Sequence, residues 1–292
     1  LRCKRYVLVR KVPFALVLGA LLAGRLPVVA SADVFPIGAR AWSLANAVVA
    51  QSNRYAIFNN VAGLAGVDEP SLFSSYHSHY GFEGLHTLAF GAVVPLHEGL
   101  TGGFSVQRFG DELYNDLALG VGVGHRINWV SLGIKINYVQ VAANAASLAI
   151  SRKAVAVELG GIARLNAQLT LGAHLYNVTQ STYSGETTAR LPTLLKTGLT
   201  YEPSQVLRLS AELYKDTDYP LSLRTGLEYE VVSNVFLRTG IATKPHTNHF
   251  GAGFLARQFA IDYALHTHSQ LGWSHHFTLG YALEKSKKKA LE

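Results

Sequence analysis

From about residue 70 onward the chain alternates apolar and polar residues with a period of two. That spacing marks strands with one apolar and one polar face. In 130–138, Val130, Leu132, Ile134, Ile136 and Tyr138 oppose Ser131, Gly133, Lys135 and Asn137. In 117–124, Leu117, Leu119, Val121 and Val123 oppose Ala118, Gly120, Gly122 and Gly124. About fourteen such segments follow one another: 71–79, 84–96, 99–109, 113–125, 128–140, 152–163, 166–178, 190–202, 205–215, 219–230, 233–243, 247–256, 258–267 and 271–283. Strands of soluble proteins are mostly about 5–6 residues long, whereas a tilted strand crossing a bilayer needs about 9–11. The length and even number of the segments predict an all-β fold, a transmembrane antiparallel β-barrel of about 14 strands over 71–283, closed so that every backbone group pairs within the sheet. A soluble β-sandwich is the alternative, and it would not need so many long strands.

The same alternation places charge on the polar faces. Lys135, Glu158, Lys196, Arg208, Glu212, Arg224, Glu228 and Arg238 are the candidate lumen-facing charges. Mixed signs in a confined interior pair with one another or line a wet channel; Arg224 with Glu228 is one such candidate pair. Trp129, Tyr138, Tyr201, Tyr229, Trp273 and Tyr281, near strand ends, are candidates for interfacial girdles. Only 15% of the 292 residues are charged, low for a soluble surface but expected of strands that give half their side chains to lipid.

Net charge changes the picture only once it is located. The formal +7 suggests nucleic acid, yet six bases lie within residues 1–32 and four more in 285–289. Between 33 and 283, 16 bases face 17 acids, so no nucleic-acid partner is expected. Residues 1–32 read as an export signal: a basic start, the apolar run Phe14 to Gly24, then Ala30-Ser31-Ala32 as a cleavage pattern. The single cysteine, Cys3, precedes that run, which excludes a disulfide scaffold. Residues 284–292 form a basic tail. Residues 33–70 are different again, alanine-rich and closing on Asn59-Asn60 and Gly63, as one or two short helices and a turn. Ahead of a barrel, such a segment is expected to enter or plug the lumen; the alternative is a helix packed on a soluble domain.

Here the residues resemble a known family. Gly38-Ala39-Arg40, Ala45-Asn46-Ala47-x-Val49-Ala50 and Asn59-Asn60-Val61-Ala62-Gly63-Leu64-Ala65 look like the opening of the PorV/PorQ-like outer-membrane proteins. Those proteins are associated with type IX secretion and related to the FadL long-chain fatty-acid channels. That opening usually reads Asn-Pro-Ala-Gly-Leu-Ala, with more glycine where Ser43 and Asn46 stand; here Val61 replaces the proline. Phe250-Gly251-Ala252-Gly253-Phe254, Ile261-Asp262-Tyr263-Ala264 and Leu271-Gly272-x-Ser274-His275 resemble the family's C-terminal strands. The resemblance implies a fourteen-strand barrel with an inward N-terminal segment, Gly38, Arg40, Asn59, Asn60 and Gly63 forming a candidate plug motif. It does not separate the branches of the superfamily.

The function expected is therefore non-enzymatic and set in the outer membrane of a Gram-negative-type cell. By resemblance, a PorV/PorQ-type member serves secretion or surface attachment, with secretion-system proteins or exported cargo as partners. A FadL-like member passes long-chain fatty acids or another hydrophobic small-molecule ligand, and a third reading is a structural or general-diffusion barrel. Membrane lipid is a partner in each. The longest candidate loops, 141–152 and 178–190, are short for an elaborate partner-binding surface. Among the 12 histidines, His246, His249, His266, His268, His275 and His276 invite a metal reading. No cysteine supports it, and polar lumen or loop positions account for them better. Neither a nucleophile elbow nor a phosphate loop is present, so no catalytic residue and no cofactor are expected.

Overall fold

A computed structural model describes residues 36–145, 148–184, 190–268 and 270–283. The expected export signal and basic tail lie outside the described residues. Two short helices, α1 (Ala39–Ser43) and α2 (Ala56–Asn59), and a 3₁₀ turn, Val61–Gly66, come first. Fourteen strands follow: β1 (Ser71–Ser78), β2 (His86–His97), β3 (Leu100–Gly110), β4 (Tyr114–Ile127), β5 (Val130–Ala145), β6 (Leu148–Arg164), β7 (Leu169–Tyr176), β8 (Leu194–Ser204), β9 (Leu207–Asp216), β10 (Ser222–Val232), β11 (Val235–Thr243), β12 (His246–Ala256), β13 (Phe259–His268) and β14 (Gly272–Ala282). Each pairs antiparallel with its sequence neighbours, and β1 closes the barrel on β14 from Ser71↔Ala282 to Ser78↔His275. Closure leaves no sheet edge, which is what a backbone crossing hydrocarbon requires.

The side chains are arranged inside out. On β5, Leu132, Ile134 and Ile136 are 55%, 44% and 54% exposed while Lys135 and Asn137, on the alternate positions, are 5% and 3%. Hydrocarbon therefore coats the wall and polar groups fill it, the reverse of a soluble core. Tyr201, Tyr229 and Tyr281 lie on the outer face near the barrel end where β1 begins and β14 finishes, here the terminus end, whereas Trp129, in the turn between β4 and β5, lines a cavity inside that end instead of the outer girdle. Trp273 stands at the opposite, loop end. Turns at the terminus end are tight. Between β4 and β5, Asn128 takes a positive φ of 55°, a conformation asparagine tolerates better than most residues.

The structure departs from the sequence reading at one hairpin. Residues 141–145 and 148–152, expected as a loop, continue β5 and β6 in register, Val141↔Arg152 through Ala145↔Leu148. Small residues such as Ala142 and Ala143 blur the apolar alternation there without breaking the backbone ladder. Of the other long loop expected, the described residues 178–184 and 190 lie outside the named strands and share one bridge, Thr182↔Arg190.

Candidate functional site

The inward alternation leaves a polar tube, and residues 36–67 occupy it. Ile37, Ala39, Leu44, Ala56, Ile57, Val61 and Leu64 are all almost fully buried. Small side chains make this entry feasible from both sides. On the wall, a methyl group built on Gly133 would lie 2.6 Å from the Ala62 nitrogen, one on Gly172 2.4 Å from the Val49 carbonyl oxygen, and one on Gly240 2.5 Å from the Leu44 carbonyl carbon. The inward glycines of β4 divide accordingly: Gly122 and Gly124 face Val61 and Leu64, while Gly120 faces Lys135, Asn137 and Ser105 of the wall itself. Contact runs all round. Gly103, Gly160, Gly198, Gly226, Gly251 and Gly280 bring β3, β6, β8, β10, β12 and β14 against the segment. Glu212 and Asp262 reach it from β9 and β13 by hydrogen bonds. Tyr55 packs edge-on to Phe73 of β1, and Val93 of β2 joins the apolar cluster of Ile57, Val61 and Leu64.

Each residue of the candidate plug motif has a place in this packing. Gly38 precedes α1 at φ 104°, in the region that favours glycine. Asn59 Nδ2 donates to the Ile37 carbonyl at 3.3 Å. Asn60 Nδ2 donates to Val49 O at 2.6 Å and Ala173 O at 3.2 Å, while its Oδ1 accepts from Ala62 N at 3.2 Å. A methyl on Gly63 would meet Gln51 O at 2.6 Å. Arg40 donates from Nε and Nη2 to the two carboxylate oxygens of Glu228, both at 2.8 Å. Burial alone would lower the Arg40 pKa; the charge and hydrogen bonds of Glu228 outweigh it and raise the value, so the guanidinium stays ionised. The Tyr55 phenol is pushed up by burial and then by Asp262, to which it donates at 3.1 Å.

Seven of the eight candidate lumen charges fall into three groups, and all eight face inward by register. Lys135 Nζ reaches Glu158 at 3.2 Å, and the same carboxylate meets Asn137 and His174. Glu212 accepts from the backbone nitrogens of Val48 and Val49, each at 3.0 Å, and stands 3.9 Å from Arg224. The cross-strand partner of Arg224 is thus Glu212, not Glu228 as the spacing along one strand suggested. Glu228 instead gathers Arg40, Arg208 and Arg238, with Arg208 also on Glu202 and Arg238 also on Asp262. Lys196 is buried on β8 beside His174 of β7.

Sequence reasoning missed the aromatic group at the loop end. Trp42 of α1 stacks on His276 at 4.2 Å and on His266 at 4.7 Å between ring centroids. His276 shares one hydrogen bond with His266 and another with His77, both 2.9 Å. No group of three or more ligating side chains among the described residues is placed to hold a metal ion. His275, on the opposite face, meets the Tyr263 hydroxyl outside the barrel. Nothing in the local sequence marks Trp42 or His77, because their roles arise only when α1 lies between β1, β12, β13 and β14. Replacing Trp42 with alanine removes a buried ring from this stack and is expected to cost about 3–5 kcal/mol, measured by urea unfolding of the barrel in micelles.

Between the segment and the terminus-end tips of β4 to β9 lies a cavity of about 880 Å³. Arg40, Gln51, Arg126, Arg164, Glu202 and Arg208 are among its lining residues.

Neither a family profile nor a curated protein sequence matches the chain. Solved structures do resemble it. The Pseudomonas putida toluene transporter TodX is 11% identical with a TM-score of 0.63, covering 84% of this chain and 96% of that one. A TodX deltaS2S3 mutant, described as a monoaromatic hydrocarbon channel, gives 11% identity and a TM-score of 0.64 over 84% of this chain and 98% of that one. A Pseudomonas aeruginosa FadL homologue is 13% identical with a TM-score of 0.56, over 83% of this chain and 97% of that one. At these identities the likeness is one of fold.

Proposed function

We propose that this chain is a non-enzymatic outer-membrane channel of the FadL-like type, passing small hydrophobic molecules, with residues 36–67 as the plug that must shift to open it. The carrying observation is a fourteen-strand lumen crossed by an internal segment that meets every strand. The hydrocarbon-coated exterior supports a membrane setting, and the likeness to barrels described as a toluene transporter and a hydrocarbon channel supports the passenger class. An apolar sector at the loop end supports it too: Val139, Val141, Ala154, Ala156, Tyr176 and Leu194 are buried on the inner face of β5 to β8. Such a sector suits an uncharged or weakly polar passenger better than an ion. The terminus end would then face the periplasm. Proteoliposomes carrying the mature barrel are expected to take up labelled toluene or oleate faster than empty vesicles, and faster still after deletion of 36–66. Uptake indistinguishable from empty vesicles in both preparations would overturn the reading.

The secretion or attachment role rests on the resemblance at the two ends of the mature chain. The short loops and filled lumen are compatible with a barrel that works through protein contacts. Copurification from native outer membrane separates the two readings: secretion components or exported cargo at stoichiometric amounts favour the accessory role, and bound lipid without them favours the channel.

A further inference from the structure

The terminus-end cavity holds charge that the plug does not consume. Four arginines and one glutamate line it. Two of the arginines are committed, Arg40 to Glu228 and Arg208 to Glu202 and Glu228. Arg126 and Arg164 take part in none of the ion pairs found among the described residues. Both stand on the inner face. Arg126 of β4 faces Ser131 of β5, Ser131 faces Ile162 of β6, and Arg164 follows two residues on. With strands about 4.8 Å apart and a rise of about 3.3 Å per residue, their Cα atoms lie about 12 Å apart. Two side chains of that length can converge on one group between them. The hydroxyls of Ser131, Thr170 and Thr200 and the amide of Gln51 also line the cavity, alongside Trp129 and Ile162. Planar guanidinium forks match the oxygens of phosphate and carboxylate.

We propose that this vestibule binds hydrophilic oxyanions, a phosphate or carboxylate group on a small solute, through Arg126 and Arg164. The site is separate from the apolar sector at the loop end, and it stands or falls independently of the hydrophobic passenger. The test is calorimetric titration of the full barrel in neutral-detergent micelles with inorganic phosphate, citrate and glucose, at one ionic strength held with sodium chloride. Saturable binding of phosphate or citrate, and none of glucose, is expected; phosphate alone assigns a phosphate group and citrate alone a carboxylate. Arg126→Gln combined with Arg164→Gln is expected to weaken binding at least tenfold. Arg108→Gln, which removes a cation from the outer face of β3, should leave it within twofold. Retained heat-modifiability of the double variant shows that it still folds. Equal affinity of the double variant and the parent, or heats that never saturate, would overturn the proposal.

Discussion

Replacing Gly172 with leucine is expected to dislodge the internal segment while leaving the barrel folded. A side chain there meets backbone on the segment, Val49 O at 2.4 Å and Ala50 Cα at 2.6 Å. Backbone on both sides cannot move aside as a flexible side-chain tip would. Overpacking of a well-filled interior costs about 1–3 kcal/mol even where rotamers can adjust. The clash is local to the segment, so the least costly relief is withdrawal of residues near Val49 and Ala50 from the wall. That withdrawal would also break the two hydrogen bonds from Val48 and Val49 to Glu212. Planar-bilayer recordings should show raised conductance, and protease should cut near residues 49–52. The matched control is Gly161→Leu, on the outer face of β6, where the nearest atom to an added methyl lies 3.9 Å away on Leu132. It should behave as the parent does. Equal conductance and equal protease resistance in the two variants would show that the segment does not seal the lumen through this contact.

The barrel was legible because its rule is local. A period of two is set by the pleat of a single strand, so strand number and position can be read one segment at a time. The one misplaced stretch, 141–152, fails where alanines flatten the pattern, since an alanine carries too little side chain to mark a face. Inward placement follows from the same alternation, which is why Lys135, Glu158 and Glu212 could be assigned to the inside before any partner was known. Partners were not legible. Arg224 and Glu228 share a strand and a face, yet the ladder sets Arg224 against Glu212 and Glu228 against Arg208 and Arg238, which depends on register between strands. The inward glycines of β4 were visible as glycines. That two of them accommodate Val61 and Leu64, and the third the wall's own Lys135, is a fact of how the segment threads the tube. Arg126 and Arg164 stand out only when Arg40 and Arg208 are seen to be neutralised.

Removing the Glu228 carboxylate is expected to destabilise the plugged barrel more than the loss of any other single lumen charge. Three guanidiniums converge on it, from Arg40 on the segment, Arg208 on β9 and Arg238 on β11. The three would not suffer equally. Arg208 keeps Glu202 and Arg238 keeps Asp262, whereas Arg40 has no other ion pair among the described residues. An ionised group left buried without its partner costs about 3–5 kcal/mol. In Glu228→Gln that cost falls mainly on Arg40, and so on the attachment of the segment. The double variant Arg40→Gln with Glu228→Gln removes the orphaned charge along with its partner. It should recover about half of the loss, within the range of coupling expected for contacting residues, roughly 0.5–3 kcal/mol. Urea unfolding in micelles, followed by the fluorescence of Trp42 with Trp129 and Trp273 replaced by phenylalanine throughout, gives all four corners of the cycle. Strict additivity of the two single substitutions would mean that the Arg40–Glu228 pair contributes nothing of its own, and that α1 is held in the lumen by its other contacts, Trp42, the glycine wall and the Ala39 N–H on Thr278 Oγ1.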